Sequence, residues 1–134
     1  MNVDAPAPSR TLHIKAATAE LGQVRRFVEE AAQLAGLETE RVFDLKVAVS
    51  EACANAIAHA GTREDEMVKV CAGSDGHRLT ITVSDGGVFR PPVMPRDERQ
   101  NLGLGLPLMV ALMDEVRFSK APQGGTVVSL SVAL

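Results

Sequence analysis

Residues 42–60 read VFDLKVAVSEACANAIAHA. At about 100° per residue, Val42, Leu45, Val49, Ala52, Ala56 and Ala60 fall on one stripe of a helix, which must face a sheet. A second stripe, offset by about a third of a turn, carries Asp44, Ala48, Glu51, Asn55 and His59. Glu51 and Asn55 are therefore neighbours one turn apart, beside the apolar stripe and off the solvated back of the helix. A carboxylate and a carboxamide oxygen so placed can accept a proton and ligate a hard cation such as Mg2+. Taken alone, the pair reads as the polar shoulder of an ordinary helix.

Working outward, this helix is expected from Thr39 or Glu40 to Ala60, with Gly61 ending it. Before it, Leu12 and Ile14 alternate with polar residues in a short strand, Thr11 to Lys15. Thr18 is then placed to cap a helix whose apolar stripe is Leu21, Val24, Val28, Ala31 and Ala35, stopping at Gly36. After it, Met67 to Ala72 and Arg78 to Ser84 flank a Ser74-Asp75-Gly76 turn and read as a hairpin. A loop rich in Gly, Pro and Arg runs from Gly86 to Asn101, and a third helix reaches about Asp114. Val116 to Lys120 and Thr126 to Ala133 close the chain as two more strands. The pattern predicts an α+β two-layer sandwich: a mostly antiparallel, mixed sheet with its helices on one face. Residues 1–10 form a loose arm and residues 11–134 one domain.

Composition narrows the function. The chain has 134 residues, 46% of them apolar and 23% charged, which suits one soluble domain. Aromatics make up only 3%, so the chain lacks stacking platforms for single-stranded nucleic acid. A net charge of −3 and a pI near 5.6 argue against a nucleic-acid or anionic-membrane partner. The start, MNVDAPAPSR, has no apolar core of a secretion signal. The longest apolar stretch, Leu102 to Met113, is broken by glycines and a proline and is too short to span a bilayer. Cys53 and Cys71 belong to no CxxC or Cys/His cluster, and they read as reduced packing residues of a cytoplasmic protein. His13 and His77 read as surface residues of a strand and a turn.

Two further segments sharpen the chemistry. The strand Leu79 to Ser84 runs into Asp85-Gly86-Gly87, where a carboxylate at a strand end can accept from an exocyclic amine and glycine lets a flat ring approach. A strand-terminating Asp-Gly turn is the plain alternative. Asn101-Leu102-Gly103-Leu104-Gly105-Leu106-Pro107 opens an apolar helix, and its free backbone N–H groups suit a phosphate. Pro107 fits the first helical turn, where a missing N–H costs no helical bond.

E-x-x-x-N on a helix, D-x-G after a strand and GxG before a helix, in that order, resemble the N, G1 and G2 boxes of the gyrase and histidine-kinase ATPase superfamily. Val49 to Ala60, the Leu-Gly-Leu-Gly-Leu run and the terminal Gly-Gly-Thr-Val strand are similar to its anti-sigma serine-protein kinase branch. The resemblance spans Thr11 to Leu134. It implies a histidine-kinase-like ATPase fold that binds ATP and Mg2+. Glu51 would be the general base and Asn55 the Mg2+ ligand. Asp85 would bind the adenine amine, with Gly87 under the ring and Thr126 in the same network. Gly103 and Gly105 would meet the phosphates.

It implies serine/threonine-protein kinase activity toward an anti-sigma-factor antagonist, with a sigma factor sequestered in turn. Relatives of this branch often form homodimers. The alternative is a non-catalytic partner-switching module. Phe89 departs from the D-x-G-x-G pattern, standing where its second glycine would be. Arg90, Arg96 and Arg99 are candidate phosphate cations or solvated loop charges, and His59 a candidate structural or capping residue.

Overall fold

A computed structural model describes residues 9–60, 67–85, 105–120 and 125–134; the side chains of His59 and Ala60 lie outside that description. The elements are β1 (Arg10–Lys15), a short 3-10 turn (Thr18–Glu20), α1 (Leu21–Ala35), α2 (Thr39–Ala60), β2 (Met67–Ser74), β3 (Arg78–Asp85), α3 (Gly105–Leu112), β4 (Glu115–Lys120) and β5 (Thr126–Ala133). The strands form a five-stranded sheet in the order β1-β2-β3-β5-β4. Every described pairing is antiparallel, so the mixed component of the expected sheet does not occur among these strands.

Period-two burial gives the sheet one covered face. Val68, Val70 and Ala72 of β2, Leu79, Ile81 and Val83 of β3, and Val128, Leu130 and Val132 of β5 are buried beneath the helices. The helices answer with Val24, Val28, Ala31 and Ala32 of α1, Leu45, Val49, Ala52 and Ala56 of α2, and Met109 of α3. With so few aromatics, this core is filled by many small and branched side chains, each of the larger ones contributing about 1.5–3 kcal/mol on full burial. The helix α2 packs against both α1 and α3 and lies over β3 and β5.

Local chemistry sets the element ends. Gly36 takes a left-handed φ of 82°, its N–H bonds to Gln33 O at 3.1 Å, and the Leu37 N–H bonds to Ala32 O at 3.0 Å. This double closure satisfies carbonyls the helix would leave open. At the other end Thr18 does not cap α1. The chain enters through the 3-10 turn, in which Glu20 N–H bonds to Ala17 O at 3.0 Å and no side chain caps. In the β2–β3 turn the exposed Asp75 carboxylate accepts from the backbone N–H groups of His77 and Arg78, both at 2.8 Å. Those bonds, His77 first, hold its carboxyl below the usual range.

Two glycines of α1 differ in what a methyl group would do. Neither meets another atom within 4 Å of an added Cβ, but Gly36 has the left-handed φ and Gly22 does not. Gly36→Ala is expected to lower the unfolding free energy by about 1 kcal/mol, and Gly22→Ala to raise it by about 0.5 kcal/mol. Urea titration of the two variants checks both signs.

Cys53 is buried in the core, and Cys71 is half-buried with its Sγ 3.6 Å from Thr11 Oγ1. Burial pushes the Cys53 thiol from 9.0 up to about 12. Because the folded value is the higher one, its contribution to stability is complete below the unfolded value and is lost as pH climbs through the folded one. The stability advantage of wild type over Cys53→Ala should therefore shrink by about 1.4 kcal/mol per pH unit above about pH 9. Denaturant melts across alkaline pH test this.

Candidate functional site

The residues singled out on α2, β3, β5 and α3 come from segments far apart in the chain, and the fold brings their elements to one end of the sheet. Ser84 pairs with Val127 in the antiparallel β3–β5 register, so the next opposed pair is Asp85 and Thr126. Both are buried polar residues, 8% and 7% exposed. The period of two puts them on the same face as Val83 and Val128, beneath the helix layer. Opposite Asp85 on its other side is Val68, at the start of β2. The six residues 61–66 join that strand to the end of α2, which keeps the C-terminal half of α2 at this same end.

A polar clamp fixes α3 against α2 in antiparallel sense. Arg41, in the first turn of α2, donates through Nη1 to the Leu112 carbonyl at 3.0 Å, the last residue of α3, and to Asp44 Oδ2 at 3.2 Å. Its Nη2 reaches Asp114 Oδ2 at 3.4 Å. Asp114 is anchored in turn to the far end of β5: its N–H bonds to Ser131 O at 3.0 Å, and its Oδ2 accepts from Ala133 N–H at 2.7 Å. With the C-terminus of α3 held at the start of α2, the Gly105 end of α3 points toward the half of α2 that carries Glu51 and Asn55. The sequence reading did not single out Arg41; its partners lie 71 and 73 positions away.

The rotation of α2 follows from its neighbours. Lys46 pairs with Glu29 of α1 at 3.5 Å, and Arg25 Nε of α1 donates to Ser50 Oγ at 3.2 Å. One flank of α2 therefore faces α1, while Arg41 and Asp44 mark the flank facing α3. The stripe of Asp44, Ala48, Glu51 and Asn55 runs along or beside that second flank. Glu51 stands nearer solvent, half-buried, and lines a shallow cavity of about 350 Å³ with Arg25, Phe43, Lys46, Val47 and Ser50. Phe43 there is 67% exposed.

Asn55 is the unusual member. Its Oδ1 is buried, yet it has no hydrogen-bond partner among the described residues. An orphaned acceptor costs about 1–3 kcal/mol, and native structures keep few of them. A hard divalent cation or an N–H donor would satisfy it. Among the described residues no three His, Cys, Asp or Glu side chains could hold a metal together. A carboxamide oxygen is a donor of the kind Mg2+ accepts, since that ion takes one or two protein oxygens and completes its shell with water and ligand phosphates.

Gly105 opens α3, and Pro107 sits inside its first turn. Gly87 and Gly103 lie outside the described residues, as do Phe89, Arg90, Arg96 and Arg99. A larger cavity of about 480 Å³, lined by Arg10, Ala31, Leu34, Ala72, Gly73 and Leu79, is at the hairpin end of the sheet. It lies roughly 20 Å along β3 from Asp85 and is no part of this grouping.

The orphaned oxygen has a consequence for the ligand-free protein. Asn55→Leu should raise its stability by about 1 kcal/mol, because an apolar group of similar shape removes the unpaired acceptor. Thermal and urea melts without added ligand measure it. A loss of more than about 1 kcal/mol would mean that the oxygen is partnered in solution.

A family model described as histidine kinase-like ATPase domain matches residues 14–132. An anti-sigma F factor of Pasteuria penetrans is 36% identical over 101 residues, covering 68% of this chain and 67% of that protein. The serine-protein kinase RsbW of Bacillus subtilis is 37% identical over 111 residues, covering 72% and 69%. Among solved structures, the RsbU and RsbW domains of a Mycobacterium tuberculosis protein superpose with a TM-score of 0.68 at 22% identity, over 94% of this chain and 32% of that one. The SiaB–SiaC complex of Pseudomonas aeruginosa gives 0.62 at 14% identity, over 93% and 88%. These two likenesses concern the fold. By its matched length over residues 14–132 and its curated relatives, the chain belongs to the histidine kinase-like ATPase domain family, and its relatives include anti-sigma F factors and RsbW serine-protein kinases.

Proposed function

We propose that this protein is an ATP-dependent serine/threonine-protein kinase that also acts as an anti-sigma factor. It would phosphorylate an anti-sigma-factor antagonist and hold a sigma factor when the antagonist is not engaged. The observation that carries the reading is the buried Asn55 Oδ1, which has no hydrogen-bond partner among the described residues and lies one helical turn from Glu51. Such an oxygen beside a carboxylate suits a Mg2+-bound triphosphate better than it suits plain packing. The names of the relatives support the protein-kinase and anti-sigma assignment. A cytoplasmic setting and self-association into a homodimer belong to the same proposal.

In this reading Asp85 accepts from the adenine amine at the end of β3. Thr126, its neighbour across the β3–β5 ladder, supports that bond, and Gly87 leaves room for the ring. The backbone N–H groups at Gly103 and Gly105 receive the phosphates at the positive end of α3. Asn55 supplies a protein oxygen to Mg2+, whose charge offsets that of the phosphates during transfer.

Glu51 accepts the proton of the antagonist's serine or threonine hydroxyl as its oxygen bonds to the γ-phosphorus. The bond from that phosphorus to the bridging oxygen breaks, and ADP departs with the electron pair. Positioning and charge account for most of such a reaction.

Two substitutions test separate halves of the proposal. Glu51→Gln should leave Mg-ATP affinity nearly unchanged while phosphotransfer falls by about 10²–10⁴-fold. Asp85→Asn should weaken ATP binding by about tenfold or more through loss of a charge-assisted bond. Calorimetry paired with a phosphotransfer time course reads both. Undiminished transfer by Glu51→Gln removes it from the catalytic role. A wild type that binds its partner but transfers no phosphate favours the non-catalytic module, the reading to which Phe89 in place of a glycine lends support.

A further inference from the structure

We infer that Arg41 is a positioning residue for phosphate recognition: its guanidinium fixes the pose of α3 on α2 and so sets where the N-terminus of α3 meets the triphosphate. The inference rests on the nucleotide reading above and concerns a residue outside the site itself. Arg41 is only 31% exposed, and its guanidinium donates to three acceptors, Asp44, the Leu112 carbonyl and Asp114. Leu112 O is among the terminal carbonyls that α3 cannot pair internally, and a cation there complements the negative end of the helix. Asp114 carries the same clamp into β5 through Ser131 O and Ala133 N–H. One side chain thereby ties together the helix bearing Glu51 and Asn55, the helix opening at Gly105, and the strand beginning at Thr126.

Geometry makes the distant effect large. The helix α3 has eight residues, Gly105–Leu112, and behaves as one short rod. Over its length of about 12 Å, a tilt of about 5° at the clamped end displaces the other end by about 1 Å. A misplacement of that size is enough to stretch or misalign backbone N–H bonds to a phosphate, which weaken steeply away from good geometry. Little else polar holds this rod: among the described residues, Arg41 is the side chain that hydrogen-bonds to its backbone. Its other described anchors are apolar, chiefly Met109 in the core and Leu106 packed against it. Such packing resists separation but is less directional than a charge-assisted fork.

The test compares wild type with Arg41→Met, Arg41→Lys and Asp114→Asn, measuring ATP and adenosine affinity, KM and kcat for phosphotransfer, and melting temperature. Arg41→Met should weaken ATP binding by about tenfold while leaving adenosine binding within about twofold. KM for ATP should rise with kcat nearly constant, because a misplaced cradle is missed in ground and transition states alike. Arg41→Lys, which keeps the charge without the fork, should recover part of the loss, and Asp114→Asn should repeat it in milder form.

If Arg41→Met does not fold, Arg41→Lys alone decides by the same ATP-to-adenosine ratio. Equal losses for ATP and adenosine, or a lower melting temperature with both affinities unchanged, would overturn the positioning role. A wild type that binds ATP no more tightly than adenosine would overturn the phosphate cradle itself, before any variant is compared.

Discussion

The burial of one stripe of α2 on β3 and β5 is the constraint from which the site follows. Leu45, Val49, Ala52 and Ala56 lie against the sheet, all of them nearly or wholly inaccessible. Fixing that stripe fixes the rotational phase of the whole helix, since side chains recur at a set angle. Asn55 is thereby brought to the edge of the core and Glu51 to the boundary with solvent. Neither residue chooses its own position. A Leu45→Ala cavity, worth about 2–5 kcal/mol, would loosen this phase even though Leu45 touches no proposed ligand.

The sheet end imposes a second condition. Asp85 and Thr126 occupy inward-facing places in a ladder that is otherwise Val, Leu and Ile, where apolar residues would be the stabilising choice. A strand terminus is where such an exception is least costly, because the apolar ladder ends there. The antiparallel register makes the two residues opposed neighbours although 41 positions separate them in sequence, as their place beyond the Ser84–Val127 pair requires.

Periodic features were legible before any coordinates. The apolar stripes of α1 and α2, the Gly36 stop and the Ser74-Asp75-Gly76 turn each depend on residues close in sequence, and all occur. The placement of Glu51 and Asn55 beside the buried stripe was legible for the same reason. Thr18 misled because a threonine before an apolar run fits a cap, whereas the Ala17 carbonyl closes a 3-10 turn there without any side chain. Arg41 was invisible for a different reason. Its acceptors on α3 and beyond are defined only once two helices and β5 have packed, and no local pattern marks an arginine as a long-range clamp. The Asn55 oxygen belongs to the same kind: a sequence can place a carboxamide on a face, but only packing decides whether it is left without a donor.

An unpaired buried acceptor and a charge clamp act in opposite directions on the same pair of helices. Asn55 Oδ1, with no donor among the described residues, is expected to cost the ligand-free protein stability. The Arg41 fork, with its carbonyl and carboxylate acceptors, restrains α2 and α3 at the other end of their contact. If packing alone held the helices, a small rotation could bring the oxygen a protein partner or expose it to water. On the proposed reading the clamp would oppose that relaxation and keep the oxygen available to a ligand. Binding at Asn55 would then recover an energy already spent in folding, and this selects for a cation or donor of the right size over a merely apolar occupant. If the proposed site is right, affinity would depend as much on what prevents α2 and α3 from relaxing as on the atoms that would touch the ligand.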